Sequence, residues 1–440
     1  MNKNRTMSMQ EKEKYTKIKY TLYLTILIGY SLYYYNRKSA SSLIPVLLQS
    51  KILDASGVGL VSSAFSLSYC LSKFGSALLS DKSNPRPLFV FGLVATGLCN
   101  ITFTCFDGVV SLAAIWFLNG LIQGIGWPQC AKLLKVWFRP DEIGTYWSLL
   151  TVGCNFIGAF CPLISLYITS WYPWQYSMIL PGLVAITSAP LVFRFIFNSP
   201  EEAGLHSFTV QGSSNEVNNS FDSIWLKIVL KLCSSPFLWV LIHGNFLTAI
   251  LRSGINEWIQ VYLIHDKKHL KSTASVALTL FEVGGIFGSL FSGVITDKWM
   301  QKRNPHHHHS PRMVAFVWLF FMLLVCLHLL TNFVDSQSST IFIAFLLFGC
   351  GMALSGSNSL YGLLAVENSP QNFSGTTNAF VSLGSSVGGV LAGYPLAAVG
   401  KLYGWHKIFF LLQIITVVNL CVHFFAKALN VNMVDLRKIY

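Results

Sequence analysis

Arg37 and Arg252 each stand deep inside a long apolar stretch of this 440-residue chain. A lone charged side chain at the centre of a bilayer costs about 2.5–3.5 kcal/mol on insertion scales, so an intramembrane cation is expected to meet a partner or a ligand. A guanidinium keeps its charge on burial, and its planar fork grips phosphate or carboxylate through two parallel hydrogen bonds. The two arginines lie 215 residues apart (252 − 37), close to half the chain. Paired cations at that offset point to an anion held between two related halves. A phosphate monoester, at about −1.5 to −2 near neutral pH, matches two such cations.

The groups around them are polar and mostly uncharged. Tyr30, Tyr34 and Arg37 stand at i, i+4 and i+7, which places them on one helical face. Asn245, Arg252 and Asn256 share a face in the same way. Asn119 and Gln123, Ser148, Thr151 and Asn155, and Asn378, Ser382 and Ser385 add amides and hydroxyls inside other apolar stretches. A cavity lined by such groups suits a hydroxylated anion. Arg252 has a second reading, an ion pair with Glu257 or Glu282, although Glu257, five residues on, lies on another part of the helix surface. Lys38 is expected at a helix interface or a water-filled entry. Lys73 stays open between a gate residue near Asp81 and a substrate contact.

The elements that must position these side chains are membrane helices. The chain is 53% hydrophobic and 11% charged, against about 25% charged in a soluble domain, and its mean hydropathy is +0.53. Apolar segments run at about 20–47, 57–79, 87–105, 109–136, 144–169, 174–197, 236–263, 272–296, 313–333, 339–365, 375–399 and 405–427, each near the ~20 residues that a span needs. The expected divisions are a cytosolic segment 1–19, a six-helix half 20–197, a cytosolic linker 198–235, a second six-helix half 236–428 and a cytosolic tail 429–440. The net charge of +13 reads as the positive-inside rule rather than nucleic-acid binding. Basic residues cluster in alternate loops, at Lys12–Lys19, Lys82 and Arg86, Lys135 and Arg139, Lys298–Arg312 and Arg437–Lys438. Lys267, Lys268 and Lys271 resist the rule, falling on the opposite side. The ten scattered cysteines include no CxxC pair or disulfide framework. His243 has no Ser or Asp partner at useful spacing and no HExxH occurs, so an enzyme is not expected, nor a cofactor or a metal. The His306–His309 run reads as a solvated loop.

The halves repeat weakly. "GSALLSDK" (75–82) follows the second span and "SGVITDKW" (292–299) the eighth. Their Asp81 and Asp297, 216 apart (297 − 81), are expected to gate the cavity. Asn155 and Asn378, 223 apart (378 − 155), occupy the fifth and eleventh spans. Similar offsets at three landmarks argue for a 6+6 duplication about an axis along the membrane normal.

Three stretches carry a resemblance: "YSLYYYNRKS" (30–39), "NGLIQGIGWPQCAKLLKVWF" (119–138) and "RSGINEW" (252–258). Together with "FEVGGIFGS" (281–289) and "SGTTNA" (374–379), they resemble the organophosphate:phosphate antiporters of the major facilitator superfamily, over about residues 18–428. The likeness is strongest to the branch that carries glucose 6-phosphate in the endoplasmic reticulum. The resemblance implies an all-α integral membrane protein of twelve transmembrane helices, the major facilitator fold of two six-helix pseudo-symmetric halves. It implies phosphate binding by Arg37 and Arg252, with Tyr30, Tyr34 and Lys73 beside them. Asn119, Gln123, Thr151, Asn155, Asn256, Asn378 and Ser382 are then expected around the rest of the substrate. The implied activity is exchange of a sugar phosphate, glucose 6-phosphate first, for inorganic phosphate. Triose or glycerol phosphate, and a sensor without transport, are the alternatives. Substrates and the lipid bilayer are the implied partners, with functional coupling to a lumenal sugar phosphatase. The C-terminal "RKIY" resembles a retrieval signal of the endoplasmic reticulum membrane. Two positions depart from the pattern: Cys154 stands where bacterial relatives have His, and Asn378 where the endoplasmic reticulum branch has His. Both bear on the sugar more than on the phosphate.

Overall fold

The computed structural model describes residues 9–80, 84–138, 140–205, 230, 232–301, 311–369 and 374–426. Thirteen helices are named here in chain order. The first half contains α1 (Met9–Gln49), α2 (Ala55–Ser80), α3 (Pro85–Phe103), α4 (Val109–Trp137), α5 (Pro140–Trp171) and α6 (Tyr176–Phe195). The second contains α7 (Pro236–Val261), extended by a π-turn over Tyr262–Asp266, then α8 (Lys271–Gln301), α9 (Pro311–Asn332), α10 (Thr340–Glu367), α11 (Ser374–Ala392), α12 (Tyr394–Tyr403) and α13 (Trp405–Ala426). No strand occurs among the described residues. The fold is all-helical and spans the membrane several times. Among the described residues, eleven segments are long and apolar enough to cross a bilayer. α1 is not among them, because tyrosines, lysines and Arg37 dilute its apolar residues. It packs against α5 and α6 like its neighbours. Side chains such as Leu24, Phe91, Trp318, Phe345 and Phe425 stand exposed on the outer surface, where lipid takes the place of water.

Two segments differ from the expected spans. α1 begins at Met9 and runs 41 residues, so the basic N-terminal segment is its first turns. Lys19 pairs there with Glu142 at the start of α5, and the Tyr15 hydroxyl donates to the Trp137 carbonyl at 3.0 Å. The eleventh span breaks into α11 and α12 at Gly393 (φ −81°, ψ −106°). Pro395, in the first turn of α12, lacks the N–H needed to continue the ladder and restricts the residue before it.

Helix pairing repeats between the halves. α2 packs on α4 as α8 packs on α10, α3 on α6 as α9 on α13, and α1 on α5 as α7 on α11. Small residues permit the closest of these crossings. A side chain at Gly284 of α8 would collide with the Phe348 carbonyl of α10, the close backbone approach that membrane helices use in place of a hydrophobic drive. The halves meet through α2 against α11 and α12, and through α5 against α8. The far end is where α1 finishes and α2 starts, and the near end is where α1 starts. One buried apolar cluster runs through the far end of the first half into the second half; the other belongs to the near end of the first half alone. The halves are thus sealed at the far end.

Gly59 sits in that seal. A Cβ there would lie 2.6 Å from the Ala397 Cβ and 2.8 Å from the Tyr394 Cα. Ser63 Oγ donates to the Val390 carbonyl at 2.7 Å and accepts from the Tyr394 N–H at 2.8 Å. Lys401 pairs with Asp54 at 2.8 Å, and its ammonium holds the Asp54 carboxyl below the usual carboxylate range. Gly59→Val is expected to push the seal open, since overpacking costs about 1–3 kcal/mol and shifts the balance of arrangements by that amount. A thiol placed by Ser62→Cys beneath the seal should react with an impermeant maleimide from the far side at least about fivefold faster in the valine variant. Equal rates would contradict this account of the seal.

Candidate functional site

Between the halves lies a cavity of about 570 Å³. It runs from Ser62, Trp116 and Glu257 toward the near end as far as Trp127 and Trp147. Tyr30, Tyr34, Arg37, Thr151, Asn155, Arg252, Asn256, Asn378 and Ser382 all line it, so most residues singled out by spacing face the same cavity. The i, i+4, i+7 face of α1 is the reason for the first three.

Arg37 is held by neutral groups. Its Nε donates to Gln123 Oε1 at 3.2 Å. Its Cζ lies 4.4, 5.2 and 5.6 Å from the ring centroids of Tyr69, Phe65 and Tyr34, within cation–π range. No carboxylate among the described residues pairs with it. Gln123 and Asn119 are not at the cavity wall, which corrects the expectation for both. They are 2% and 0% exposed and form a relay behind it. Gln123 Nε2 donates to Asn119 Oδ1 at 3.1 Å, and Asn119 Nδ2 to Asn100 Oδ1 at 3.3 Å. Asn100 Nδ2 donates on to the Asn36 carbonyl and Ser39 Oγ, returning to α1. Buried amides need partners, and this chain of them ends on the guanidinium and fixes its direction.

Arg252 has a different environment. Its Nη2 lies 3.6 Å from Glu282 Oε2. Lys38 of α1 donates to Glu282 Oε1 at 2.5 Å and to Asn256 Oδ1 at 2.8 Å. A buried carboxylate on α8 therefore sits between a cation from each half. Arg37 has the uncharged surroundings expected of it, whereas Arg252 follows its second reading, an ion pair with Glu282. Glu257 also lines the cavity, so its face of α7 is not turned away as the spacing implied. Lys38 is at the interface between halves and on the cavity wall at once. Its signal in the sequence was the i+4 step from Tyr34, whose ring centroid is 5.6 Å from Lys38 Nζ. The aromatic residues Phe65, Tyr69, Trp116, Trp127 and Trp147 were not anticipated as lining. The cavity thus gathers three cations and one carboxylate at its wall, with Glu282 behind them.

Asn245 is buried and donates to the Val381 carbonyl at 3.0 Å, away from the cavity. Asp297 lies at the near end, where Arg312 bridges it and Glu367 at 2.7 and 2.6 Å. These three groups belong to one half, so the pairing across halves that a gate requires is not made in this arrangement. Asp81, the His306–His309 run and the C-terminal Arg437 and Lys438 lie outside the described residues, as do the side chains of Lys73 and Ser148.

Comparison with known proteins adds to this geometry. The family profile described as Major Facilitator Superfamily matches residues 26–393. A protein of Chlamydia pneumoniae named "Probable hexose phosphate transport protein" is 32% identical over 91% of this chain and 89% of its own length. The "Membrane sensor protein UhpC" of Salmonella typhimurium is 31% identical over 89% of this chain and 87% of its own. Among solved structures, a bacterial homologue of the human lysosomal transporter Spinster, in an inward-facing and unoccupied conformation, superposes with a TM-score of 0.73 at 11% identity, over 93% of this chain and 97% of that one.

Proposed function

The chain belongs to the Major Facilitator Superfamily, and from that premise we propose that it exchanges a sugar phosphate, glucose 6-phosphate first, for inorganic phosphate by alternating access. The observation that carries this reading is Arg37. It is a cation aimed into the cavity between halves, held by an amide and aromatic faces, with no carboxylate among the described residues against it. Lys38 and Arg252 flank it and share one buried acid.

Sealing the near end around an empty site strips Arg37 of water without supplying a counter-charge, which costs several kcal/mol. A bound phosphate removes that cost. It also competes with Glu282 for Lys38 and Arg252, one from each half, and so ties the halves through the ligand. Closure is favoured when the site is full, the halves rock about the ligand, and the cavity opens at the other end. Because Glu282 already satisfies two of the cations, the preference for exchange over one-way flux rests mainly on Arg37.

Proteoliposomes test the reading. Uptake of labelled phosphate should rise at least about tenfold when the vesicles hold internal phosphate or glucose 6-phosphate, the factor set by a penalty of ~1.4 kcal/mol or more on the empty carrier. Equal uptake into empty vesicles would overturn exchange. The similarity to a named membrane sensor supports a second reading, in which binding without flux is the expected result. Placement in the endoplasmic reticulum, with cytosolic termini and a lumenal sugar phosphatase downstream, rests on the loop charges and on Arg437 and Lys438. It is tested by imaging the tagged full chain.

A further inference from the structure

The two walls of the cavity differ in chemistry. The wall supplied by α7, α10 and α11 carries Ser253, Asn256, Asn358, Asn378 and Ser382 beside Arg252 and Glu257. The opposing wall carries rings. Trp127 of α4 and Trp147 of α5 meet edge to face, with centroids 4.4 Å apart and planes at 71°. Tyr30 leans on Trp127 at 4.9 Å. Both indoles are only partly buried and face the cavity. Thr151 and Cys154, one and two turns along α5 from Trp147, extend this wall without charge.

Local structure puts the indoles there. Gly126 leaves no side chain between α4 and α1, so the Tyr30 and Tyr33 rings approach to van der Waals range and Trp127 is carried onto Tyr30. The Thr151 hydroxyl donates to the Trp147 carbonyl at 3.1 Å. Along α1, Tyr30 lies seven residues before Arg37, about 10 Å at 1.5 Å per residue. The indole pair therefore sits near one end of the cavity and the anion site farther in.

We infer that Trp127 and Trp147 form the ring subsite of this cavity. They take the apolar C–H face of a pyranose whose phosphate is held at Arg37, while the amides and hydroxyls opposite take the ring hydroxyls. A flat aromatic surface facing a row of amides complements a molecule with one apolar face and a hydroxylated rim. The spacing selects for size. A three-carbon phosphate anchored at Arg37 ends short of the indoles, whereas a six-membered ring carried on an exocyclic carbon reaches them. The inference rests on the phosphate-site reading above for its anchor, and assigns the organic part of the ligand to residues that the anchor does not use.

Calorimetric titration of the purified full chain with inorganic phosphate, glycerol 3-phosphate and glucose 6-phosphate tests it. The protein should prefer glucose 6-phosphate over glycerol 3-phosphate by at least about tenfold. In the Trp127→Leu/Trp147→Leu variant that ratio should fall to within about threefold, and in Trp127→Phe/Trp147→Phe it should stay near the original value. A leucine variant that keeps the full ratio, or a parent protein without preference, overturns the subsite. Should the double variant bind none of the three, Trp147→Leu alone decides by the same ratio. Loss of exchange-dependent flux with the preference intact would overturn the exchanger and leave the subsite standing. Flux without the preference would do the reverse.

Discussion

Arg37→Ala is expected to lower phosphate affinity and phosphate exchange by a hundredfold or more. The guanidinium offers two charge-assisted hydrogen bonds to a phosphate, each worth about 1.5–3 kcal/mol, so the pair corresponds to roughly two to four powers of ten. Its supports are neutral, as a cation prepared for a ligand requires. Gln123 Oε1 takes Nε, the Asn119 and Asn100 amides hold Gln123, and the rings of Tyr69 and Phe65 flank the charge. Arg37→Lys keeps a cation but loses the fork and the bond to Gln123, and should fall between, at about tenfold. Because Arg37 borders open space, its loss creates no closed void, and folding should survive. The measurements are calorimetric affinity and counterflow in proteoliposomes. An alanine variant within about fivefold of the parent would remove Arg37 from the anion site.

Much of this arrangement was legible in the sequence because helices convert spacing into direction. Tyr30, Tyr34 and Arg37 recur at a helical period, so their shared wall followed from arithmetic. The proposal of an anion site followed from the cost of burying a charge. What the sequence withheld was depth and partnership across elements. Asn119 and Gln123 share a face with Trp116 and Trp127, yet Gln123 and Asn119 are covered while the indoles line the cavity or its floor. Which amide reaches open space depends on how closely α1 and α4 approach, and that is set by tertiary packing. The Lys38–Glu282 pair joins residues 244 apart in different halves, and no local pattern encodes it. The break at Gly393 had a local signal in Pro395, but a proline within a membrane helix is compatible with either a kink or a new helix.

Glu282→Gln should bind phosphate more tightly and turn over more slowly. In the parent protein Glu282 is almost fully buried and lies against Lys38 at 2.5 Å and Arg252 at 3.6 Å. It occupies cations that a phosphate would otherwise claim. Charges a few ångströms apart at an effective dielectric near 20 interact by about 4 kcal/mol, so neutralising the acid leaves a deep, uncompensated positive site. Affinity for the dianion should rise at least about tenfold. The same change removes the group that reclaims Lys38 and Arg252 when phosphate departs. Release should become limiting, and the maximal exchange rate should drop by a similar factor. Breaking a buried pair from one side costs about 3–5 kcal/mol because the remaining charge is left without a partner. The empty variant should therefore melt earlier than the parent, and phosphate should raise its melting temperature by more. Glu282→Asp, which keeps the charge on a shorter arm, should move all three quantities in the same direction by less. Unchanged or weaker phosphate affinity in the glutamine variant would mean that Glu282 fastens the two halves without competing with the ligand. Arg37 alone would then set the anion site.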